Sequence, residues 1–219
     1  MTTLLIFFLG ASLGSFIGLV WNRFPEKSIV LPASHCDHCL RPLRIRDLIP
    51  LLSQLANAFR CPFCRQKISL IYFGIELICA CITLLAYHHY LTGTQLFLLM
   101  FSLLLSLYDL DSQSYPIFLW FLLSLPMLFF YPIHLSTLIL VLCSVLCHCY
   151  PLGIGSGDFL YFATLSLVLK TEQLLWLMQV SSLLGILFCL LFKCRKIPFL
   201  PFLSLTFLGL SLYEKLAGF

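Results

Sequence analysis

Long apolar runs separated by short polar stretches make up most of this 219-residue chain. The runs are close to the roughly 20 residues that a helix needs to cross a bilayer. They predict eight membrane-spanning helices, at about 3–21, 71–91, 95–109, 116–131, 134–150, 157–170, 173–192 and 198–214. The run at 157–170 is the shortest of these and ends at Lys170.

The composition supports the same fold class. Hydrophobic residues make up 61% of the chain and charged residues 10%, with a mean hydropathy of +1.02, whereas soluble domains carry about 25% charged residues. Because backbone polar groups in a bilayer must be satisfied within the chain, a helical fold is favoured. We therefore expect an all-α, polytopic helical bundle of about eight spans in the lipid bilayer of the cell membrane.

The basic residues predict the orientation. Of the thirteen Lys and Arg residues, eight lie between the first two spans, and Lys193, Arg195 and Lys196 lie between the last two. The positive-inside rule places both segments in the cytoplasm. The net charge of +4 is thus explained by topology, and no nucleic-acid partner is expected. The predicted segments are a first span at 1–21, a cytosolic loop at 22–70 and a membrane-embedded core at 71–219.

Two Cys-x-x-Cys pairs lie in that first loop, Cys36/Cys39 and Cys61/Cys64, with 21 residues between them. This spacing is typical of four-cysteine zinc sites, in which the thiolates bind one tetrahedral ion. A disulfide is disfavoured in the reducing cytosol. His35 and His38 flank the first pair and offer alternative ligands, and unliganded or redox-active thiols are the competing interpretation.

Four acids lie within or at the ends of predicted spans: Glu76, Asp109, Asp111 and Asp158. An ionisable group at membrane depth is costly and usually functional. Asp109 and Asp111 end the third span, and two residues apart on a helix they point to different sides. Only one of the two is expected to face Asp158, and the alternative is that these acids cap helix ends.

Asp158 directly follows a glycine-rich segment, 153–157, which includes Gly155, Ser156 and Gly157. Glycines so closely spaced indicate unusual backbone conformation or close approach of another group. Two neighbouring carboxylates cannot easily both ionise, so one can act as base while the other stays protonated. The sequence therefore suggests an aspartyl-protease site built from an aspartate on each of two segments.

Taken together, these elements resemble the type IV prepilin peptidases, membrane aspartyl proteases with a Gly-x-Gly-Asp motif. The resemblance extends along the whole chain. Its pieces, in order, are Gly14-Ser15-Phe16, Arg23-Phe24-Pro25, the two cysteine pairs with 47–53 between them, Lys67-Ile68-Ser69, Glu76-Leu77, 109–116, Gly155–Asp158 and 198–203.

The resemblance implies a prepilin leader peptidase, most similar to the competence-pilus peptidases of Gram-positive bacteria. Asp109 and Asp158 would be the catalytic pair, Gly155, Ser156 and Gly157 the active-site loop, and Asp111 and Glu76 substrate-binding or supporting residues. The family cleaves the short basic leader of prepilins or pseudopilins after a glycine, on the cytoplasmic side. Many members then methylate the new N-terminus with S-adenosylmethionine.

The chain departs from the family pattern at several positions. Gly18 stands where an Asn is common, Ile117 where an acid or Asn is common, and Leu160 where a Lys is common. The catalytic acids are kept. Two other functions share some of these features: a proton- or metal-coupled transporter with a cytosolic zinc module, and a thiol-redox membrane protein.

Overall fold

The structure, a computed structural model, describes residues 1–36, 38–150, 155–193 and 197–217. These residues form nine α-helices and a short 3-10 turn at Ile45–Leu48. The helices are α1 (Thr2–Arg23), α2 (Leu52–Ala56), α3 (Leu70–Tyr87), α4 (Gly93–Ser112), α5 (Ile117–Phe130), α6 (Leu135–Cys149), α7 (Ser156–Val168), α8 (Thr171–Phe192) and α9 (Leu200–Ala217). Within these ranges the only β-pairing is two isolated bridges, so the predicted all-α fold is confirmed.

Each predicted span coincides with one helix, and only α2 has no counterpart among the spans. Four helices, α1, α3, α4 and α8, are long and apolar enough to cross a membrane. The protein is therefore a multi-pass membrane protein. Gly153, Arg195 and Lys196, which the sequence analysis used, lie outside the described residues.

The chain forms two compact units, Met1–Leu96 and Phe97–Phe219. In the first unit, α1 packs closely along α3. A Cβ added at Gly10 would lie 2.6 Å from Thr83 Oγ1, and one at Gly14 would lie 2.8 Å from the Cα of Glu76. Small residues spaced by four allow such close approach of membrane helices. Gly10, Gly14 and Gly18 form that pattern, which the sequence analysis did not use.

The second unit is built around α7, the shortest predicted span. Every residue from Leu160 to Leu167 is buried, so the neighbours of this helix are protein and not lipid. Polar side chains join it to the surrounding helices, since Trp120 Nε1 donates to Thr164 Oγ1 at 3.0 Å and the hydroxyls of Thr137 and Ser166 lie 2.8 Å apart. Such hydrogen bonds between helices are a common source of stability in an apolar medium.

Candidate active site and cysteine cluster

Asp109 lies in the last turn of α4 and is buried, with 9% of its surface exposed. Its Oδ2 accepts a hydrogen bond of 3.0 Å from the backbone N–H of Leu200, the first residue of α9. One and two turns before Asp109, the hydroxyls of Ser106 and Ser102 lie 2.9 and 2.6 Å from the Ser204 hydroxyl of α9. These contacts hold α4 and α9 side by side. The start of α9 therefore fixes the position of this carboxylate.

Asp111 lies on the same turn of α4 but is exposed. The two positions differ as the helical geometry predicts, because residues two apart lie on different sides of a helix. Only Asp109 points into the second unit.

Asp158 lies in the first turn of α7 and is partly buried. A Cβ at Gly155, the N-cap residue, would lie 3.1 Å from Asp158 Oδ2, so this glycine leaves space for the carboxylate. An acid at a helix N-terminus also interacts favourably with the helix dipole. Asp158 lies near enough to Asp109 for the two negative charges to repel each other.

Tyr115, which the sequence analysis did not single out, lies in the loop between α4 and α5. Its hydroxyl donates a hydrogen bond of 2.5 Å to the carbonyl oxygen of Gly157. Burial raises the pKa of the phenol, and the nearby carboxylates of Asp158 and Asp109 raise it further. The loop after the first aspartate thus contacts the turn that carries the second.

This arrangement places two carboxylates near one another in a mostly apolar bundle. Asp109 is shielded, whereas Asp158 remains partly open. Paired carboxylates in such surroundings can share a proton, so that one acts as a base towards water and the other as an acid.

The four predicted metal ligands come together in the first unit. The Sγ atoms of Cys36, Cys39, Cys61 and Cys64 all lie within 4.8 Å of one another. The Cys36–Cys64 and Cys39–Cys61 sulfur separations are 3.8 and 4.0 Å. Four thiolates about 2.3 Å from a tetrahedral zinc would lie about 3.8 Å apart, so the cluster fits a zinc ion. His35, the alternative ligand, instead places its Nδ1 2.8 Å from the Ala33 carbonyl oxygen.

Both cysteine pairs lie in turns of the same design. The N–H of Cys36 donates to the Arg41 carbonyl and that of Leu40 to the Cys36 carbonyl. The second turn repeats both bonds, from Cys61 to Gln66 and from Arg65 to Cys61. In each turn the residue after the second cysteine has a positive φ, 56° at Leu40 and 61° at Arg65. The two turns thus form a structural repeat with different residues at equivalent positions.

Positive side chains surround the cluster. The guanidinium carbons of Arg41 and Arg44 lie 5.6 and 5.4 Å from the centre of the Phe63 ring, between Cys61 and Cys64. Burial alone would raise the pKa of the Cys61 thiol, but hydrogen bonds from the backbone and from neighbouring thiols outweigh it and lower the pKa to about 7. Thiolate formation at this position is therefore favoured, as metal binding requires.

Glu76 on α3 is buried, with 5% of its surface exposed. Its Oε2 accepts hydrogen bonds from the backbone N–H of Leu51 at 2.8 Å and from Gln54 Nε2 at 2.9 Å, and the Ser15 hydroxyl also bonds to the carboxylate. These partners are neutral groups of α1 and of the loop between the cysteine pairs. The carboxylate therefore joins three of the predicted motif regions.

Leu51 is the residue at which the loop between the cysteine pairs packs against α1 and α3. Its side chain packs with Ala11 of α1 and Ala80 of α3, and its backbone has φ 62° and ψ −52°. An L-residue is strained at such a φ. The hydrogen bond to Glu76 and the buried side chain together hold it there.

A cavity of about 620 Å³ lies between the cysteine loop and the ends of α1 and α3. Its walls combine hydroxyls, amides, charged groups and one aromatic ring, contributed among others by Ser15, Gly18, Arg23, Gln54, Asn57, Lys67, Tyr72 and Glu76. Gln54 is buried, and its Oε1 has no hydrogen-bond partner in the described residues. Gly18 leaves room for the Tyr72 ring, which would lie 3.2 Å from a Cβ at that position.

Comparison with known proteins now identifies the family. A family model for the bacterial peptidase A24 N-terminal domain matches residues 8–90. A prepilin leader peptidase/N-methyltransferase of Bacillus subtilis is 30% identical over 222 residues, which cover 90% of this chain and 88% of the relative. The chain belongs to the prepilin leader peptidase family.

Two further relatives have similar names. The prepilin leader peptidase/N-methyltransferase of Neisseria gonorrhoeae is 28% identical over 86% of this chain and 81% of its own length. A type 4 prepilin-like proteins leader peptide-processing enzyme of Escherichia coli is 40% identical, over 35% of this chain and 36% of its own length. No solved structure matches the chain at a significant level.

These relatives confirm the predicted family and, with it, a membrane-bound protease, in preference to a transporter or a thiol-redox protein. The A24 match at 8–90 covers α1, the cysteine cluster, α3 and the cavity. The roles of Asp109, Asp158 and the other site residues stay predictions.

Proposed function

We propose that this protein cleaves the short basic leader of type IV prepilin-like proteins after a glycine, using Asp109 and Asp158. One observation carries the proposal: the Tyr115 hydroxyl joins the loop after Asp109 to the turn that carries Asp158, while Asp111 is exposed. Competence pseudopilins are the substrate class that the overall sequence resemblance favours.

The chemistry follows from two carboxylates with different protonation. The ionised one takes a proton from water, and the resulting hydroxide adds to the scissile carbonyl carbon. The protonated one gives its proton to the carbonyl oxygen. Collapse of the tetrahedral intermediate breaks the C–N bond, and a proton passes to the leaving nitrogen. The products are a leader ending in a carboxylate and a pilin with a free amine.

The site is proposed to face the cytoplasm. In an alternating topology of eight spans, the end of α4, the start of α7 and the start of α9 lie on the same side as the basic loop at 22–70. The positive-inside rule places that side in the cytoplasm, where the basic leader of an unprocessed substrate would remain.

Substitution by Asn tests the catalytic pair, because it keeps size and polarity but removes ionisation. Asp109→Asn and Asp158→Asn are each expected to lose more than about 1,000-fold in leader cleavage, as expected for a group essential to acid–base chemistry. Asp111→Asn is the matched control and should retain most of the activity. Leader removal from a co-expressed, tagged prepilin measures all three. Cleavage by both Asp109→Asn and Asp158→Asn would refute the protease site.

We also propose that the four-cysteine cluster binds zinc as a structural ion. The sulfur separations match a tetrahedral site, and four thiolates would leave no open coordination position for catalysis. The metal would fold the loop, and the protease chemistry would proceed without it.

The cavity in the first unit supports a second activity, methylation of the new N-terminus. S-adenosylmethionine supplies a methyl group when bound. The cavity volume of about 620 Å³ lies in the range of small-molecule sites, about 300–1,000 Å³. The free Oε1 of Gln54 would offer an acceptor for a cationic group, Tyr72 an aromatic face, and Lys67 a partner for a carboxylate.

Binding of S-adenosylhomocysteine to the purified protein, followed by calorimetry, tests this site. Gln54→Ala removes the buried acceptor and is expected to weaken binding about tenfold, the effect of one lost hydrogen bond of about 1.4 kcal/mol. Gln95→Ala is the control, because Gln95 lies outside the cavity lining and bonds to the N–H of Thr92. Equal affinities for both variants would place the ligand elsewhere.

A further inference from the structure

Tyr115 is the side chain that ties the two aspartate-bearing segments together. It lies six residues after Asp109, and its hydroxyl donates to the carbonyl of Gly157, the residue directly before Asp158. The preceding carbonyl, that of Ser156, accepts a 2.8 Å hydrogen bond from the Ser144 hydroxyl of α6. Two consecutive carbonyls at the start of α7 are thus held from two sides.

The ring of Tyr115 also explains why residue 157 is a glycine. A Cβ at this position would lie 2.8 Å from Tyr115 Cε1 and 3.0 Å from Cζ. Gly157 lies within α7, and its backbone does not have a positive φ, so conformational freedom is not what requires glycine. The requirement is the close approach of the phenol ring.

The surroundings of the phenol keep its proton in place. The pKa of Tyr115 is raised above its ordinary value by burial and by the charges of Asp158 and Asp109. The hydroxyl therefore keeps its proton at neutral pH and donates it in a hydrogen bond to the Gly157 carbonyl. Its partner, the Gly157 carbonyl, belongs to the backbone of α7. This hydrogen bond therefore holds the loop between α4 and α5 against the start of α7.

We propose that Tyr115 is a positioning residue that holds Asp158 in register with Asp109 by bracing the backbone at Gly157. The proposal rests on the proposed protease function of the two aspartates. Tyr115 itself does not touch the scissile bond, and its contribution passes through the orientation of the turn. A catalytic group displaced by about 1 Å can cost about 100-fold in rate.

Tyr115→Phe keeps the ring and removes the hydroxyl. We expect kcat for leader cleavage to fall about tenfold, the equivalent of one hydrogen bond of about 1.4 kcal/mol, while KM changes by less than about twofold because the residue does not bind substrate. The thermal midpoint should stay near that of the wild type. An unchanged kcat would overturn the proposal, as would an increase in KM that accounts for the whole loss.

A double-mutant cycle tests the steric part independently. In the presence of Tyr115, Gly157→Ala is expected to lower kcat by more than about 30-fold, the scale of a small displacement of a catalytic group. In a Tyr115→Ala background the same change should cost less than about threefold, because the added methyl group then has space. Gly209→Ala, where a Cβ meets nothing within 4 Å, is the control. Equal costs of Gly157→Ala in both backgrounds would refute the close approach as the cause.

The catalytic role of Asp158 and the positioning role of Tyr115 are tested separately. If Asp158→Asn still cleaves, the proposed function fails whatever Tyr115 does. If Asp158→Asn is inactive while Tyr115→Phe matches the wild type, only the positioning role fails.

Discussion

The carboxylates of the two units differ in their hydrogen-bond partners and in their exposure. In the first unit, Glu76 is almost fully buried and is bonded to Leu51, Gln54 and Ser15. In the second, Asp109 is held by one backbone amide at 3.0 Å, and Asp158 stays partly exposed at the start of its helix. Burial alone therefore does not mark a catalytic acid. A carboxylate held by three structural donors fits an anchor, whereas two neighbouring carboxylates, one shielded and one partly exposed, fit the proposed acid–base pair.

The units also differ in what holds them in shape. The first relies on a cysteine cluster and on a loop pinned between two helices. The second relies on α7, which other helices surround, and on hydrogen bonds between polar side chains. Removal of the proposed zinc should therefore disrupt the first unit.

Loss of a metal ligand should have the largest effect. Cys61→Ser removes one of the four sulfurs, and structural zinc supplies folding free energy on the order of 10 kcal/mol in small peptides. We expect the zinc content to fall from one per chain to near zero, and the 24–69 loop to become sensitive to protease. Elemental analysis and limited proteolysis measure both.

Cys189→Ser, outside the cluster and in α8, is the control for that experiment and should leave the zinc content unchanged. A wild-type protein with well under one zinc per chain, or a Cys61→Ser protein that retains its zinc, would contradict the structural metal.

An intermediate effect is expected at Glu76. Glu76→Gln puts an amide in place of the carboxyl group that accepts from the Leu51 N–H and from Gln54 Nε2. One lost hydrogen bond costs about 0.5–1.5 kcal/mol, so we expect a loss of this size in stability. Hydrogen exchange at the Leu51 amide should rise correspondingly. Cleavage should weaken without disappearing.

Glu172→Gln is a matched control, because Glu172 is exposed in the first turn of α8. Complete loss of cleavage in a well-folded Glu76→Gln protein would instead make Glu76 part of the catalytic set.

The smallest effect concerns the backbone of the cysteine turns. Leu40 has a φ of 56°, which costs an L-residue about 1–2 kcal/mol. Leu40→Gly relieves this strain but makes the unfolded chain more flexible, so we expect an unchanged or slightly raised thermal midpoint. Leu40→Val should lower it, because a β-branched residue is least tolerant of positive φ. The opposite order in thermal melts would show that the turn does not adopt this conformation.

The sequence predicted best those structural features that depend on the spacing of residues close together in the chain. The positions of α1 and of α3 to α9 followed from the apolar runs, and the four sulfurs meet as the two Cys-x-x-Cys pairs predicted. Only one of Asp109 and Asp111 faces inward, as helical geometry predicted, and it is Asp109, the residue that the family resemblance indicated. These features depend on residues within a few positions of one another.

Contacts between distant segments were not predictable in this way. The anchoring of Leu51 by Glu76 joins residues 25 apart, and the Tyr115–Gly157 contact joins residues 42 apart. A tyrosine in a short loop carries no signal of its partner. The Gly10-x-x-x-Gly14-x-x-x-Gly18 pattern was visible in the sequence and could have predicted the close packing of α1 on a second helix.

The central claim is that the second unit cleaves and the first unit methylates, and mass spectrometry of one pilin substrate tests it most directly. Full-length prepilin and a pilin already lacking its leader are each incubated with S-adenosylmethionine and either Asp158→Asn or Gln54→Ala protein. We predict that Asp158→Asn leaves the leader in place but still methylates the shortened pilin. Gln54→Ala should remove the leader but methylate the product about tenfold more slowly at a donor concentration below the dissociation constant, the effect of one lost hydrogen bond. If Asp158→Asn removes the leader, or if the two activities fall together in both folded variants, the division of function between the units is wrong.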